Sequence, residues 1–375
     1  MKILFMTESL DVGGIEINIK RLSEELTLRE HEVLVAARSG SLNQQIELTG
    51  ARIIDLKMSI TSPIKVLVDI LRLRPFLKEN EIVHIFSAKA GFLCWLASHL
   101  LFKKRRPVVV ASLMGIHNKS EKEPLYLTKL RAKLTLLGAE TVISTSPAIR
   151  KVIDKVKTKK QKVIDASVVG VEIFEEPSEK RILELKKELG IKPDERIIST
   201  IGRLAQSKSH HLFIKAAKIV LKTKPDSYFL IVGDGPLKNE LQEVIDQEGI
   251  TKNVHLIGER HDIKEILSAS DVYVRPGIVE GFVGITVLEA QSLKKPVIGF
   301  ETEDLQVAIT HKISGWLIPK SNFHELGEAI CQLLDDPVLK AEISKTGYEQ
   351  FLKHFSIKAI VDNLCSIYGE LKSSN

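Results

Sequence analysis

The stretch Arg275–Phe300, RPGIVEGFVGITVLEAQSLKKPVIGF, decides how the chain is read. It opens on the end of a strand, Asp271-Val-Tyr-Val-Arg275, and breaks at Pro276-Gly277. A short loop follows, Glu280-Gly281-Phe282-Val283-Gly284. The apolar spacing of Ile285-Thr-Val-Leu-Glu-Ala-Gln-Ser-Leu293 predicts a helix, and Pro296-Val-Ile-Gly-Phe300 a second strand. Strand, loop, helix, strand is the repeat of a parallel α/β sheet. Loop glycines let backbone N–H groups approach a ligand, and the helix N-terminus behind them favours an anion. Glu280 at the mouth of the loop and Glu289 further into the helix suit vicinal hydroxyls, because a carboxylate accepts two hydrogen bonds at once.

Working outward, the second half repeats the pattern. The strand Glu195–Ile201 leads to the loop Gly202-Arg203-Leu-Ala-Gln-Ser-Lys208-Ser209 and the helix His211–Lys222. Tyr228-Phe-Leu-Ile-Val runs into a Gly-Asp-Gly-Pro236 turn. Val254–Gly258 precedes a loop carrying Arg260, and Ile263–Ala269 a short helix. The first half starts the same way: a strand over residues 2–7, a loop with Gly13-Gly14, a helix to Arg29 and the strand Glu32–Ala37. Further units follow at Ala51–Leu56, Pro63–Lys78, Ile82–Phe86 and Phe92–Leu101, with Ser87-Ala-Lys89-Ala-Gly91 as the connection between the last two. Val108–Leu113 runs into Met114-Gly-Ile-His117, and Ser146-Pro147 reads as a helix cap and first turn. A charged helical segment near residue 175 marks a boundary between two domains, residues 1–175 and 176–354, with a terminal helix over 355–375.

In this order the motifs resemble the retaining glycosyltransferases of family 4. Glu280 and Glu289 are similar to the family's E-x7-E signature with one additional residue, most simply Val283; Gly202 to Ser209 is similar to G-R-L-x-x-x-K-G, with Ser209 for the last glycine. The resemblance implies a GT-B fold, two Rossmann-like domains facing across a cleft. The N-terminal domain would bind acceptor, with the 355–375 helix packed back on it. The second domain would hold a nucleoside diphosphate sugar, UDP- or GDP-linked. It implies that Arg203 and Lys208 stabilise the leaving diphosphate and that Glu280 holds the donor sugar. Glu289 would hold the ribose. Gly14, Gly202, Gly281, Phe282, Val283 and Gly284 would line the phosphates, and Arg260 would lie over the base. Lys89 and His117 are acceptor-side candidates; Met114 stands where relatives carry histidine. Asp234-Gly235 reads as a turn rather than a D-x-D metal site, so no obligatory divalent ion or other cofactor is expected.

Composition bounds the rest. With 375 residues, 44% apolar and 27% charged, the chain suits two ordinary soluble domains. No run approaches a spanning helix, and no signal peptide is read, so a cytoplasmic location is expected. Cys94, Cys331 and Cys365 lack metal spacing and read as buried thiols in a reducing compartment. Residues 1–177 carry 28 Lys+Arg against 20 Asp+Glu, the remainder 26 against 28. Basic clusters at 103–106 and 150–162 point to peripheral contact between the N-terminal domain and the inner face of an anionic membrane. Aromatics are only 5% and do not interleave with the basic clusters, which argues against nucleic acid. The first loop lacks G-x-G-x-x-G, which disfavours a nicotinamide enzyme. The expected acceptor class is a glycan or lipid-linked saccharide of cell-surface polysaccharide or lipopolysaccharide synthesis. A non-catalytic sugar-nucleotide-binding partner and a GT-B nucleotide-sugar epimerase remain open alternatives.

Overall fold

A computed structural model describes the chain except for Val12, residues 60–61, 102–106, 115–124, 279–282 and Asn375; the side chains of Leu101 and Leu125 also lie outside the description. The expectations at His117, Glu280, Gly281 and Phe282, and the 103–106 basic cluster, therefore lie outside the described residues.

The chain divides into two compact units, Met1–Val171 with Phe355–Asn375, and Glu172–His354. The first unit is built on seven parallel strands: β1 (Lys2–Ser9), β2 (Glu32–Arg38), β3 (Arg52–Asp55), β4 (Ile82–Ile85), β5 (Val108–Leu113), β6 (Thr141–Ser144) and β7 (Lys162–Asp165). Their spatial order is β3-β2-β1-β4-β5-β6-β7. Helices α1 (Gly14–Leu28), α2 (Asn43–Glu47), α3 (Pro63–Glu79), α4 (Ala88–Leu101), α5 (Leu125–Leu136) and α6 (Pro147–Val156) connect them. The central strands are buried along their length, which is why they read as continuous β-branched runs rather than alternating ones. Leu73, Leu93, Ala132 and Ile149, from α3, α4, α5 and α6, fill one face of the sheet.

The second unit starts with α7 (Glu179–Glu188) and continues β8 (Arg196–Ile201), α8 (His210–Leu221), β9 (Ser227–Val232), α9 (Lys238–Glu248) and β10 (Val254–Gly258). It goes on through α10 (Ile263–Ala269), β11 (Val272–Arg275), α11 (Ile285–Ser292), β12 (Val297–Phe300), β13 (Trp316–Ile318), α12 (Phe323–Asp335) and α13 (Pro337–His354). The sheet order is β10-β9-β8-β11-β12-β13, again all parallel. In both units the order reverses next to the first strand, between β1 and β4 and between β8 and β11. That doubly wound arrangement places ligands outside the carboxyl ends of the strands flanking the reversal.

The last helix, α14 (Ile357–Ser373), belongs to the first unit. Ser356 caps it, accepting from the Ala359 N–H. Gly170 meets its first turn so closely that a Cβ there would stand 2.9 Å from Ile357 Cα. Tyr368 reaches the sheet interior, where its hydroxyl lies 2.5 Å from His84 Nδ1, while His84 Nε2 lies 2.7 Å from Ser112 Oγ. Burial pushes the His84 pKa down to about 3, so this ring is neutral.

Two expectations need correction. Only Cys94 is buried, its thiol pushed up to about 12 by burial; Cys331 and Cys365 are half-buried, the latter 3.5 Å from His31 Nε2. Helix α4 starts at Ala88, not Phe92, so Lys89 sits in its first turn. Within the 150–162 segment, Arg150 pairs with Asp154 and Asp165, and Lys157 with Asp154.

Candidate functional site

In the second unit, the loops after β8 and β9 lie backbone against backbone. The Gly202 N–H donates to the Val232 carbonyl (2.9 Å) and the Leu204 N–H to the Asp234 carbonyl (2.9 Å). Gly233 has φ +132, and a Cβ there would stand 2.1 Å from the Gly202 oxygen, so only glycine fits. Asp234 is used by its own turn, accepting from the Gly235 N–H and pairing with Lys238.

Arg203 follows Gly202, and a single 3-10 turn over Gln206–Lys208 carries the chain to Ser209, which adopts φ +52. The family pattern has glycine there, and the left-handed backbone is the reason. His210 opens α8 and is 2% exposed. Its Nε2 lies 3.3 Å from the Arg203 carbonyl oxygen, so this nitrogen carries the proton and donates. Burial lowers its pKa to about 4.

The pocket at the carboxyl ends of β8 and β11 collects Thr200, Lys208, His210, Arg275, Gly284 and Thr286. Gly284 is the N-cap of α11 in extended conformation, so the first N–H groups of that helix point to this end of the sheet. Arg275 is 4% exposed and pairs with Asp304 (2.6 Å) and Thr302 Oγ1 (2.9 Å), tying β11 to the segment after β12. Tyr273 OH lies 2.7 Å from Thr286 Oγ1, anchoring the first turn of α11 to the strand. A cation, a helix N-terminus and a neutral imidazole thus converge where the doubly wound topology puts a ligand. Such an arrangement stabilises a phosphate and any negative charge that grows on it.

The structure brings Lys208 and Gly284 into this one pocket, with Gly202 and Arg203 on the adjoining loop. Val283 is buried, as is Glu289, in the second turn of α11. Arg260 lies in the loop after β10, where its Nε and Nη2 contact Asp262 (2.8 and 2.6 Å) and its Nη1 contacts Glu188 (2.6 Å). These carboxylates raise its pKa and leave the face of its guanidinium, not its edge, for a ligand.

In the first unit, Gly14 is the first residue of α1. The loop before it is not an open amide cradle. The Glu16 carboxylate folds back so that a Cβ on Gly13 would stand 2.4 Å from its Oε2. Burial raises the Glu16 pKa, helped by Asp11 and Glu8 nearby. Lys89 Nζ lies 2.6 Å from Glu8 Oε1, so this cation reaches the carboxyl end of β1 already paired.

Sequence reasoning missed His210, Arg275 and Asp304. His210 was signalled only by its place directly after Lys208-Ser209. Arg275 was signalled as a charge closing an apolar strand, which in a buried parallel sheet needs a partner.

Two family models cover the chain: Glycosyltransferase Family 4 matches residues 12–165, and Glycosyl transferases group 1 matches residues 181–350. The UDP-Gal:alpha-D-GlcNAc-diphosphoundecaprenol alpha-1,3-galactosyltransferase of Escherichia coli is 30% identical over 332 residues, covering 83% of this chain and 81% of that protein. The chain belongs to glycosyltransferase family 4. This family-4 chain is also 25% identical to the capsular polysaccharide biosynthesis glycosyltransferase CapM of Staphylococcus aureus, over 92% of each. Among solved structures it is similar to Anabaena HepE in complex with UDP, with TM-score 0.83 and 21% identity over 99% of this chain and 100% of that one. The two doubly wound units of the family-4 chain are accordingly the Rossmann-like domains of a GT-B fold. Among the described residues, no helix is long and apolar enough to cross a membrane.

Proposed function

We propose that the protein transfers a sugar from a UDP-sugar, or by the same chemistry a GDP-sugar, to a saccharide carried on a lipid diphosphate, with retention of configuration. The observation that carries this reading is the convergence of Lys208 and the α11 N-terminus in one pocket at the β8–β11 reversal. The Escherichia coli relative acts on a diphosphoundecaprenol-linked sugar with UDP-Gal, and HepE was solved with UDP; both support a uridine donor and a lipid-linked acceptor. The CapM relative supports a place in cell-surface polysaccharide synthesis.

In this reading the departing diphosphate gains charge as the glycosidic bond breaks. Lys208 supplies a point charge and Arg203 a fork for two phosphate oxygens, and the Gly284 end of α11 adds aligned N–H groups. His210 stays neutral and holds the Arg203 carbonyl, so it fixes the loop without adding a titrating charge. Gly202 and Gly233 allow the two loops their close approach. Glu289 receives the ribose hydroxyls, Glu280 the donor sugar, and Gly281, Phe282 and Val283 complete the phosphate loop. Arg260 offers its planar face to the base. Gly14 is the first domain's contribution to the donor phosphates, and Lys89 and His117 serve the acceptor, with Lys89 held ready by Glu8. Catalysis is then mainly positioning and electrostatic stabilisation of the leaving phosphate.

The test is product analysis by proton NMR with UDP-Gal, UDP-Glc or UDP-GlcNAc and a GlcNAc-diphospho-lipid acceptor. The reading expects an α-linked product that keeps the donor configuration. Turnover of donor to its epimer without acceptor would replace it with the epimerase reading.

A further inference from the structure

Helix α3 presents apolar residues on two sides. Ile70, Leu73 and Leu77 turn into the core of the first unit, and Val66 packs against it. Ile64, Leu67, Val68 and Leu71, spaced i, i+3, i+4, i+7, form an outward ridge that is 76%, 54%, 38% and 54% exposed. At 3.6 residues per turn, Lys65 and Arg72 flank this ridge on one side and Arg74 on the other, while Lys78 continues the line of Leu71; all four are exposed, and Arg72 Nη1 also contacts the Asp55 carbonyl oxygen (3.4 Å). The carboxylate inside the helix, Asp69, is buried and accepts from the Lys57 N–H; the other, Glu79, is the last residue. Glu79 is exposed on the Arg72 side, so the exposed surface of the helix carries four cations against one carboxylate. Helix α5, on the same face of the sheet beyond α4, adds exposed Tyr126 (67%) and Leu130 (48%). Both helices start at the carboxyl edge of the sheet, the edge that bears ligands in this topology.

We propose that this face of α3 rests on an anionic lipid surface, the Ile64–Leu71 ridge entering the boundary between headgroups and acyl chains while its flanking cations meet lipid phosphates. An apolar ridge with cations along both flanks is the pattern of a helix lying in the plane of an anionic membrane interface. It assigns membrane contact to α3 rather than to residues 150–162, which are rich in lysine but carry no exposed large hydrophobic side chain. It rests on the proposed function only in that a lipid-borne acceptor would be met there; the docking itself needs no donor.

The experiment is flotation of the full chain with vesicles of phosphatidylcholine, alone or with about one third phosphatidylglycerol, at about 0.1 M and 0.5 M NaCl. Wild type is compared with Leu67→Glu/Leu71→Glu and with Lys65→Glu/Arg72→Glu. Thermal stability with and without UDP reports folding of each variant, and light scattering reports mass. The expected result is flotation on anionic vesicles that weakens with salt and falls at least about tenfold in both double variants, with the UDP response kept. Wild type that stays unbound, or variants that float equally well, would overturn the proposal. So would a wild-type dimer that Leu67→Glu/Leu71→Glu turns into a monomer, since the ridge would then face a second copy. Loss of the UDP response in wild type would count against the donor reading instead.

Discussion

Replacing Gly233 by alanine tests how tightly the two phosphate-side loops are coupled. The new Cβ would stand 2.1 Å from the Gly202 carbonyl oxygen, whereas real Cβ atoms stay beyond 3.0 Å, so something must move by about 1 Å. The obstacle is backbone, not a flexible side-chain tip, and it is the residue before Arg203. The φ of +132 adds strain of about 1–3 kcal/mol for a non-glycine residue, and overpacking about 1–3 kcal/mol more. A net loss of about 3 kcal/mol corresponds to a fall in Tm of about 6–12 °C for a domain of this size. A 1 Å displacement of the Arg203–Lys208 loop should also cost about 100-fold in kcat/KM. Gly249→Ala is the control: Gly249 has φ +70 at the end of α9 with nothing within 4 Å of its Cβ position. It should lose about 1 kcal/mol and keep donor affinity. Calorimetry with donor titration reads both variants. Gly233→Ala with unchanged Tm and unchanged donor affinity would refute the coupling of the loops.

Two further outcomes follow from buried polar groups. His84 stays neutral in the folded chain down to about pH 3, while the unfolded chain takes up a proton below pH 6.5; stability therefore falls as pH drops between these values. At pH 5 the loss is about 2 kcal/mol, and urea unfolding at pH 7 and pH 5 should show His84→Asn losing about that much less than wild type. Asp304→Ala leaves the Arg275 guanidinium buried without its carboxylate and should cost about 3–5 kcal/mol in urea unfolding, whereas Arg275→Met/Asp304→Leu should recover most of it.

The strands of both sheets were legible because buried parallel strands are continuous β-branched runs, as in Val108–Leu113 and Ile197–Ile201. Helix α10 was legible to the residue. Strand β7 was not: Lys162-Val-Ile-Asp165 is a four-residue edge strand with half-exposed side chains in a lysine-rich segment, so its composition resembles a loop. Helices α2 and α5 were not read either. At the site, Gly202 and Lys208 stood out because their spacing is local. Arg275 and Asp304 lie 29 positions apart, and only the fold shows that one neutralises the other. The close contact of Gly233 with Gly202 is likewise a property of two adjacent strands and is invisible in either loop alone.

In the proposed function, the β8–β11 end of the second domain holds a sugar nucleotide through Lys208. Titration calorimetry of UDP and GDP into wild type and Lys208→Ala is the test. The expected result is binding of one nucleotide to wild type and a 10- to 100-fold weaker association, about 1.5–3 kcal/mol, in the variant, with Tm in the absence of ligand unchanged. Equal affinity in both proteins, or no binding of either nucleotide to wild type, would contradict it.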